Sequence, residues 1–421
     1  MICLSNEFES KVTSMLHEVI GRELTQYFDS CVKCGLCFNA CHMYSSTHTL
    51  EYAPAFRMEL LKRIYKRYLS LSGKLTPWIS RALKINSESL NQLRKAVFEC
   101  TGCRRCALYC PIGIDPTLSI SISRGLLSKI GLAPEILGQL ADMQIERARS
   151  MDLYRDIIIE QINVLRAKLR GELKDPNADI PLNKENARIL YVPISSEESI
   201  LSAAKIFNIA RENWSLSVYD AANWAFFLGD IERAKAISKR IIDEALTLKV
   251  ETVAISECGH GYFIMKHLID KWFNREFPFK VKNIIEVLAE YISDKRINPS
   301  TISNRVTYHD PCRIARNSGI IEEPRYVIRR IVKDFAEMNP NKNRNWCCGG
   351  GGGLVAIPEL KDVRVSTGIL KAKQINETKA EIVVAPCENC KQQISDINEN
   401  YNLNVKVMGL VDLVNTALTF N

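Results

Sequence analysis

Two hydrophobic periods divide the chain. The segments "AFRMELLKRIYKRYLSL" (55–71) and "SESLNQLRKAVFEC" (87–100) repeat their apolar positions three and four residues apart, which predicts amphipathic helices. Helical patterning continues after residue 116 through "GLLSKIGLAPEILGQLADMQIERARSMDLYRDIIIEQINVLRAKLRGEL". The polar stretch "KDPNADIPLNKENA", with its two prolines, then reads as a linker. From residue 188 the period changes. Short apolar runs, "RILYVPIS", "LSVYD" and "ETVAIS", alternate with amphipathic segments and lead into "FKVKNIIEVLAEYI". This is the β-α-β rhythm of a parallel, doubly wound sheet.

The rhythm then repeats. "RVTYHDPC" matches "RILYVPIS", "TKAEIVVAPCENC" matches "LKVETVAISECGH", and "LNVKVMGLVDLVNTAL" matches "FKVKNIIEVLAEYI". Residues 188–300 and 301–421 therefore look like two copies of one α/β unit, placed after an α-helical first half.

Composition narrows the class. A chain of 421 residues is long enough for two or three domains, each with its own core. The apolar fraction of 46% and charged fraction of 25% are ordinary for a globular protein. No apolar run approaches the roughly 20 residues that span a bilayer, so any membrane contact is expected to go through a partner. The start, "MICLSNEFESKVTSML", lacks the basic and apolar regions of an export signal, and a cytoplasmic location is expected. Net charge is +8, and residues 57–84 hold eight Lys/Arg against one Glu, either a solvated helix face or a docking face for an acidic protein or phospholipid headgroups. No aromatic-interleaved basic motif points to nucleic acid.

Fifteen cysteines change the picture, because thirteen fall into three clusters. In a reducing compartment such clusters point to metal rather than disulfides. Cys31, Cys34, Cys37 and Cys41 follow C-x2-C-x2-C-x3-C, and so do Cys100, Cys103, Cys106 and Cys110. Three closely spaced thiolates can wrap one cubane while the fourth reaches its neighbour. That logic assigns Cys31, Cys34, Cys37 and Cys110 to one [4Fe-4S] cluster, and Cys100, Cys103, Cys106 and Cys41 to another. Zinc favours paired knuckles over such triplets. Pro111 follows the second run in the usual way, whereas His42 follows the first. Two cubanes with no open iron form a wire, so bond chemistry must lie elsewhere.

The third group, Cys312, Cys347, Cys348, Cys387 and Cys390, belongs to the second α/β copy. Cys312, Cys387 and Cys390 follow predicted strands, where parallel sheets collect ligands. The adjacent pair opens "CCGGGGG", and two neighbouring thiolates can bracket two irons of an open cluster. The glycines would let the backbone approach and leave N–H groups free for sulfur. A phosphate loop would need a Lys-Ser/Thr ending that is missing here.

The pattern C-x34-CC-x38-C-x2-C resembles the cysteine-rich (CCG) domain of heterodisulfide reductase catalytic subunits. The order of a ferredoxin module followed by a CCG pair is similar to the D-type subunit of those enzymes, to the iron–sulfur subunit of glycolate oxidase, and to the DsrK family that accompanies dissimilatory sulfite reductase. "CHMYSSTHTLEYAPAFRMELLKRIYKRY" and "ECGHGY" favour DsrK-like proteins. The resemblance implies five regions: an N-terminal helical segment (1–28), a two-cluster ferredoxin-like domain with a helical insertion (29–125), a helical connector and linker (126–187), a first CCG repeat that has lost its ligands (188–300), and a second CCG repeat (301–421). In the first repeat only Cys258 survives; Ser195 or a neighbour, "DAANWAFFLGD" and Gly261 stand at the other ligand positions.

The resemblance further implies a noncubane [4Fe-4S] cluster on Cys312, Cys347, Cys348, Cys387 and Cys390. It implies a membrane cytochrome b-type subunit as electron partner, and a DsrC-type sulfur carrier or a small disulfide as substrate. The protein would then sit at the cytoplasmic face of the membrane through its partner. A heterodisulfide reductase subunit and an electron-transfer subunit of a 2-hydroxy-acid oxidase are the alternatives. His260 could donate a proton to a departing thiolate with Glu257 or Cys258 assisting, or simply hold its loop. His309, three residues before Cys312, could orient a ligand or transfer a proton, or serve structurally behind the ligands. Cys3 reads as an unligated thiol, and Trp224 and Trp346 as packing residues.

Overall fold

The computed structural model describes residues 6–418 except Ser150 and Ser195. Cys3 and Ser195, both singled out above, lie outside the described residues. The chain forms two compact units. One takes the described residues up to Leu140 together with Trp224–Ile231 and Trp346–Lys371; the other takes Ala141–Asn223, Glu232–Asn345 and the rest from Ala372.

The first unit is helical: α1 (Asn6–Val19), α2 (Arg22–Ser30), α3 (Pro54–Leu69), α4 (Leu71–Leu75), α5 (Pro77–Ser80), α6 (Ser87–Phe98) and α7 (Pro116–Lys129). Local chemistry sets their starts. Asn86 accepts the Ser89 amide at 2.8 Å, and Ser89 Oγ accepts the Asn86 amide at 2.9 Å, a reciprocal cap on α6. Asp115 caps α7 through the Thr117 amide at 2.9 Å, with Pro116 in the first turn. Helices α3, α6 and α7 pack together and bury Leu60, Leu61, Ile64, Leu90, Leu93, Val97 and Leu127. Arg57, counted above in a basic face, is buried instead. Its guanidinium donates to the Glu99 carbonyl at 3.3 Å, so the exposed basic stretch is shorter than the composition suggested.

The connector forms two long helices, α8 (Glu135–Arg149) and α9 (Met151–Leu173). The second unit then carries two four-stranded parallel sheets. The first contains β1 (Ile189–Val192), β2 (Trp214–Leu216), β3 (Thr252–Ile255) and β4 (Lys280–Asn283), in the order β2-β1-β3-β4. The second contains β5 (Ile302–Tyr308), β6 (Val332–Glu337), β7 (Ile382–Val384) and β8 (Lys406–Met408), in the order β6-β5-β7-β8. The duplication read from the sequence is thus a repeat of topology. Val192 pairs with Ile255 in one sheet and Tyr308 with Val384 in the other. Strands β1 and β3 are buried at every position, as expected of parallel strands covered on both faces. Strand β6 was not apparent in the sequence because "VKDFAE" is an edge strand, largely open to solvent beyond Val332.

Four helices position the chemistry: α10 (Gly259–His267) after β3, α11 (Glu322–Ile331) before β6, α12 (Glu388–Tyr401) after β7, and α13 (Leu410–Ala417) after β8. Cys258 and Cys387 occupy equivalent cap positions before α10 and α12. Among the described residues, no helix is long and apolar enough to cross a membrane.

Candidate functional site

Within the first unit the two cysteine runs fold alike. Lys33 and Gly35 in one, and Gly102 and Arg104 in the other, take left-handed backbone at the same two positions of the motif. These turns curl each triplet of cysteines. One pocket is lined by Cys31, Cys34, Cys37 and Cys110, and a second by Cys41, Cys100, Cys103 and Cys106. Each run therefore lends its last cysteine to the other's pocket. Burial pushes the Cys37 thiol up to about 11 and raises Cys41 and Cys106 as well, so deprotonation there calls for bound cations. Four sulfurs against a largely apolar wall suit a thiolate-ligated iron–sulfur cluster in each pocket.

The "CCGGGGG" loop belongs to the same unit. The Gly349 and Gly350 amides donate to the sulfurs of Cys347 and Cys348, each at 3.4 Å. Gly352 has φ +67°, and a Cβ there would overlap the Cys100 carbonyl oxygen. The glycines thus do two things: they supply N–H donors to sulfur and seat the loop against the second cysteine run. The buried Arg124 completes the seat, donating to the carbonyls of Cys100 at 2.7 Å, Phe227 at 2.8 Å and Gly352 at 2.9 Å. The Arg105 guanidinium carbon lies over the Trp346 ring, 3.6 Å from its centroid, a cation–π contact. Trp224 packs edge-on to Phe227. His42 is buried with neither ring nitrogen hydrogen-bonded, and its nearest ring nitrogen lies within 4.8 Å of the sulfurs of Cys103 and Cys347.

In the second unit, Cys312 follows β5 and Cys387 and Cys390 follow β7. His309 is buried and offers a ring nitrogen within 4.8 Å of the Cys390 sulfur. The strand end before Cys312 is held by Asp310. The Arg325 guanidinium, fully buried on α11, donates to both Asp310 oxygens at 2.8 and 2.9 Å and to Glu337 at 2.7 Å. Asp310 also accepts the Lys342 amide at 2.7 Å, and its carbonyl accepts from the Asn345 side chain. Sequence reasoning missed Arg325, Asp310 and Asn345. The "HDPC" string was the available signal, but an arginine on an amphipathic helix does not announce its burial.

The first copy is built differently. At Gly261, where the second copy has Cys390, a Cβ would overlap the Ala221 carbonyl oxygen, so a cysteine does not fit there. Cys258 is buried with its sulfur 3.5 Å from His260 Nδ1, and His260 Nε2 accepts the Asn223 amide at 3.1 Å. Burial pushes His260 down to about 3, with Arg313 adding to the effect. At neutral pH it is a neutral imidazole that pins a loop. Glu257 instead titrates near neutrality. Burial pushes its carboxyl up to about 7, against the pull of Lys391 and of the Leu410 and Val411 amides it accepts at 2.6 and 3.0 Å.

Comparison with known proteins agrees with this geometry. Residues 27–114 match the 4Fe-4S dicluster domain, and residues 306–395 match the cysteine-rich domain known as CCG. The chain is an iron–sulfur protein. It is 27% identical to the Hdr-like menaquinol oxidoreductase iron-sulfur subunit 2 of Archaeoglobus fulgidus, over 94% of this chain and 81% of that one. It is also 27% identical to the D-type subunit of the dihydromethanophenazine:CoB–CoM heterodisulfide reductase of Methanosarcina barkeri, over 93% and 94% of the two chains. A shorter stretch, 32% of this chain, is 36% identical to a subunit of the fumarate reductase (CoM/CoB) of Methanothermobacter marburgensis, of which it covers 27%. No solved structure matches. These relatives are oxidoreductase subunits, and the chain is an oxidoreductase similar to the iron–sulfur subunits of heterodisulfide-reductase-type complexes.

Proposed function

We propose that the chain is the disulfide-reducing subunit of a membrane-associated redox complex. In this reading Cys31, Cys34, Cys37 and Cys110 hold one cubane, Cys41, Cys100, Cys103 and Cys106 hold another, and Cys312, Cys347, Cys348, Cys387 and Cys390 hold a noncubane [4Fe-4S] cluster. When bound, these clusters supply one-electron transfers. Reduction of R–S–S–R′ consumes two electrons and two protons and releases RSH and R′SH. The electrons come from a quinol-oxidising cytochrome b-type partner, and the substrate is a disulfide or trisulfide on a DsrC-type carrier protein, or a small heterodisulfide.

The observation that carries this reading is the contrast between the two α/β copies. The second keeps all five thiols; in the first, the Ala221 carbonyl fills the space of the last one. Electron entry is best served by the first cysteine run, where Cys34 is exposed and rimmed by the exposed Val32, Leu36 and Ile112. The names of the relatives, a menaquinol oxidoreductase subunit and a heterodisulfide reductase subunit, support a quinol donor and a disulfide acceptor.

The test is an iron and acid-labile sulfide count on anaerobically purified protein, with EPR after oxidation in the presence and absence of thiol. The reading requires about 12 irons and a paramagnetic signal that appears only with thiol. Cys348→Ser should abolish disulfide turnover while both cubanes remain reducible by dithionite. About 8 irons without a thiol-dependent signal would leave an electron-transfer subunit of another oxidoreductase, such as a 2-hydroxy-acid oxidase.

A further inference from the structure

The corner formed by α4 and α5 displays four large apolar side chains on a well-anchored backbone. Leu71, Leu75, Trp78 and Ile79 are between 72% and 78% exposed. This is not a loose loop whose side chains happen to point outward. Gly73 is buried against α3, where a Cβ would overlap the Lys66 carbonyl oxygen. At 3.6 residues per turn, the residues two before and two after Gly73 share the opposite face, so close packing of Gly73 turns Leu71 and Leu75 to solvent together. The chain leaving α5 is tied back to α3 as well: the Leu83 amide donates to the Arg63 carbonyl at 2.9 Å, and Arg63 Nε donates to the Arg81 carbonyl at 2.8 Å.

The charges that this corner leaves unpaired are positive; Lys84 at its end pairs with Glu9 at 3.7 Å. Residues 71–84 contain Lys74, Arg81 and Lys84 and no acidic residue. Lys74 and Arg81 are exposed, and neither has an acidic partner among the described residues. Aliphatic side chains and a tryptophan flanked by unpaired cations match the boundary between headgroups and acyl chains of an anionic bilayer. A protein partner fits less well. Four side chains on two short helices form a projection rather than a groove, and they fall short of the roughly 800 Å² that each side of a stable protein interface covers.

We propose that α4 and α5 form a membrane-contact corner, in which Leu71, Leu75, Trp78 and Ile79 enter the headgroup–acyl boundary of an anionic bilayer while Lys74 and Arg81 meet lipid phosphates. This contact is independent of the disulfide chemistry proposed above and stands whether or not that reading holds. It also adds a direct lipid contact to a chain expected to reach the membrane only through a partner.

The experiment is co-sedimentation of the iron-loaded full chain with vesicles of phosphatidylcholine alone and of phosphatidylcholine with phosphatidylglycerol. The full chain should pellet with the anionic vesicles at least several-fold more than with neutral ones, and less as salt is raised. A variant carrying Leu71→Ser, Leu75→Ser, Trp78→Ser and Ile79→Ser should lose at least tenfold in vesicle binding while its iron content and circular dichroism stay unchanged. Lys74→Glu with Arg81→Glu should remove the preference for anionic lipid. The proposal is overturned if the wild-type chain stays in the supernatant with both vesicles, or if the serine variant binds as the wild type does. Pelleting without lipid that the serine variant abolishes would overturn it too, by making a second copy of the chain the occupant.

Discussion

Glu257 shows how much one residue can owe to its surroundings. In the sequence it is an acid beside Cys258, offered as an assistant to His260. In the fold the titration roles are exchanged: the histidine is neutral, and the carboxyl holds a proton near pH 7. Its ordinary value is 4.5, so between about pH 4.5 and 7 the folded chain keeps a proton that the unfolded chain releases. Its contribution to stability is therefore full below pH 4.5 and is lost as pH rises to 7, an effect of roughly 3 kcal/mol at most. His260 works in the opposite sense, its contribution growing as pH rises from about 3 to 6.5. The two partly cancel in the native protein, and a single variant separates them. Glu257→Gln keeps an acceptor for the Leu410 and Val411 amides but removes the titration. Urea unfolding at pH 5 and pH 8 should show the variant gaining on the wild type by up to about 3 kcal/mol across that interval. A difference that stays constant with pH would mean the carboxyl is not held protonated. The cysteines were legible at this scale because ligand spacing is local. The partners of Asp310 and the burial of Arg57 were not, because a charged residue looks the same in sequence whether it faces water or a carboxylate.

Among elements, the helices on either side of the cysteine runs were readable from their 3.6-residue period, and the strands of the first sheet from short apolar runs between polar breaks. Strand β6 escaped because its exposed edge carries no apolar alternation. The glycine loop was read as a backbone needing close approach, and the fold shows what it approaches: the carbonyls of Cys100 and Thr101. This gives a prediction at the scale of the loop. Gly352→Ala places a side chain in left-handed backbone and into the Cys100 carbonyl, and should cost about 2 kcal/mol or more. Thermal melts should show the loss, and iron analysis should show depletion at the pocket of Cys41, Cys100, Cys103 and Cys106. Gly138→Ala, with no positive φ and open space around an added Cβ, serves as the control. Equal melting temperatures for the two variants would refute the seating of Gly352.

For the whole molecule, the two units are expected to depend on iron to different degrees. The second has two parallel sheets in which β1, β2, β3 and β7 are buried throughout, an apolar core built on strands. The first gathers eight cysteines into two pockets within a small helical body, and the free energy of binding there becomes folding free energy. Anaerobic removal of iron with a chelator should therefore open residues 29–125 to limited proteolysis while fragments containing β1–β8 persist, as mass spectrometry of the digest would show. Uniform digestion of both units would indicate that the sheets also rely on the metal.

The sequence by itself determined the grouping of the cysteines, the iron–sulfur character they carry and the duplication of the α/β unit. These rest on spacing, and spacing survives in one dimension. Tertiary structure decided which charged residues are buried, which copy's pocket is closed by a carbonyl, and which segments join which unit. Trp346–Lys371 lies in sequence within the second repeat yet packs with the helical unit, because its glycines fit the backbone of Cys100 and Thr101 and Arg124 satisfies its carbonyl. Burial and hydrogen-bond satisfaction are properties of the packed chain, and no local pattern encodes the partner that supplies them.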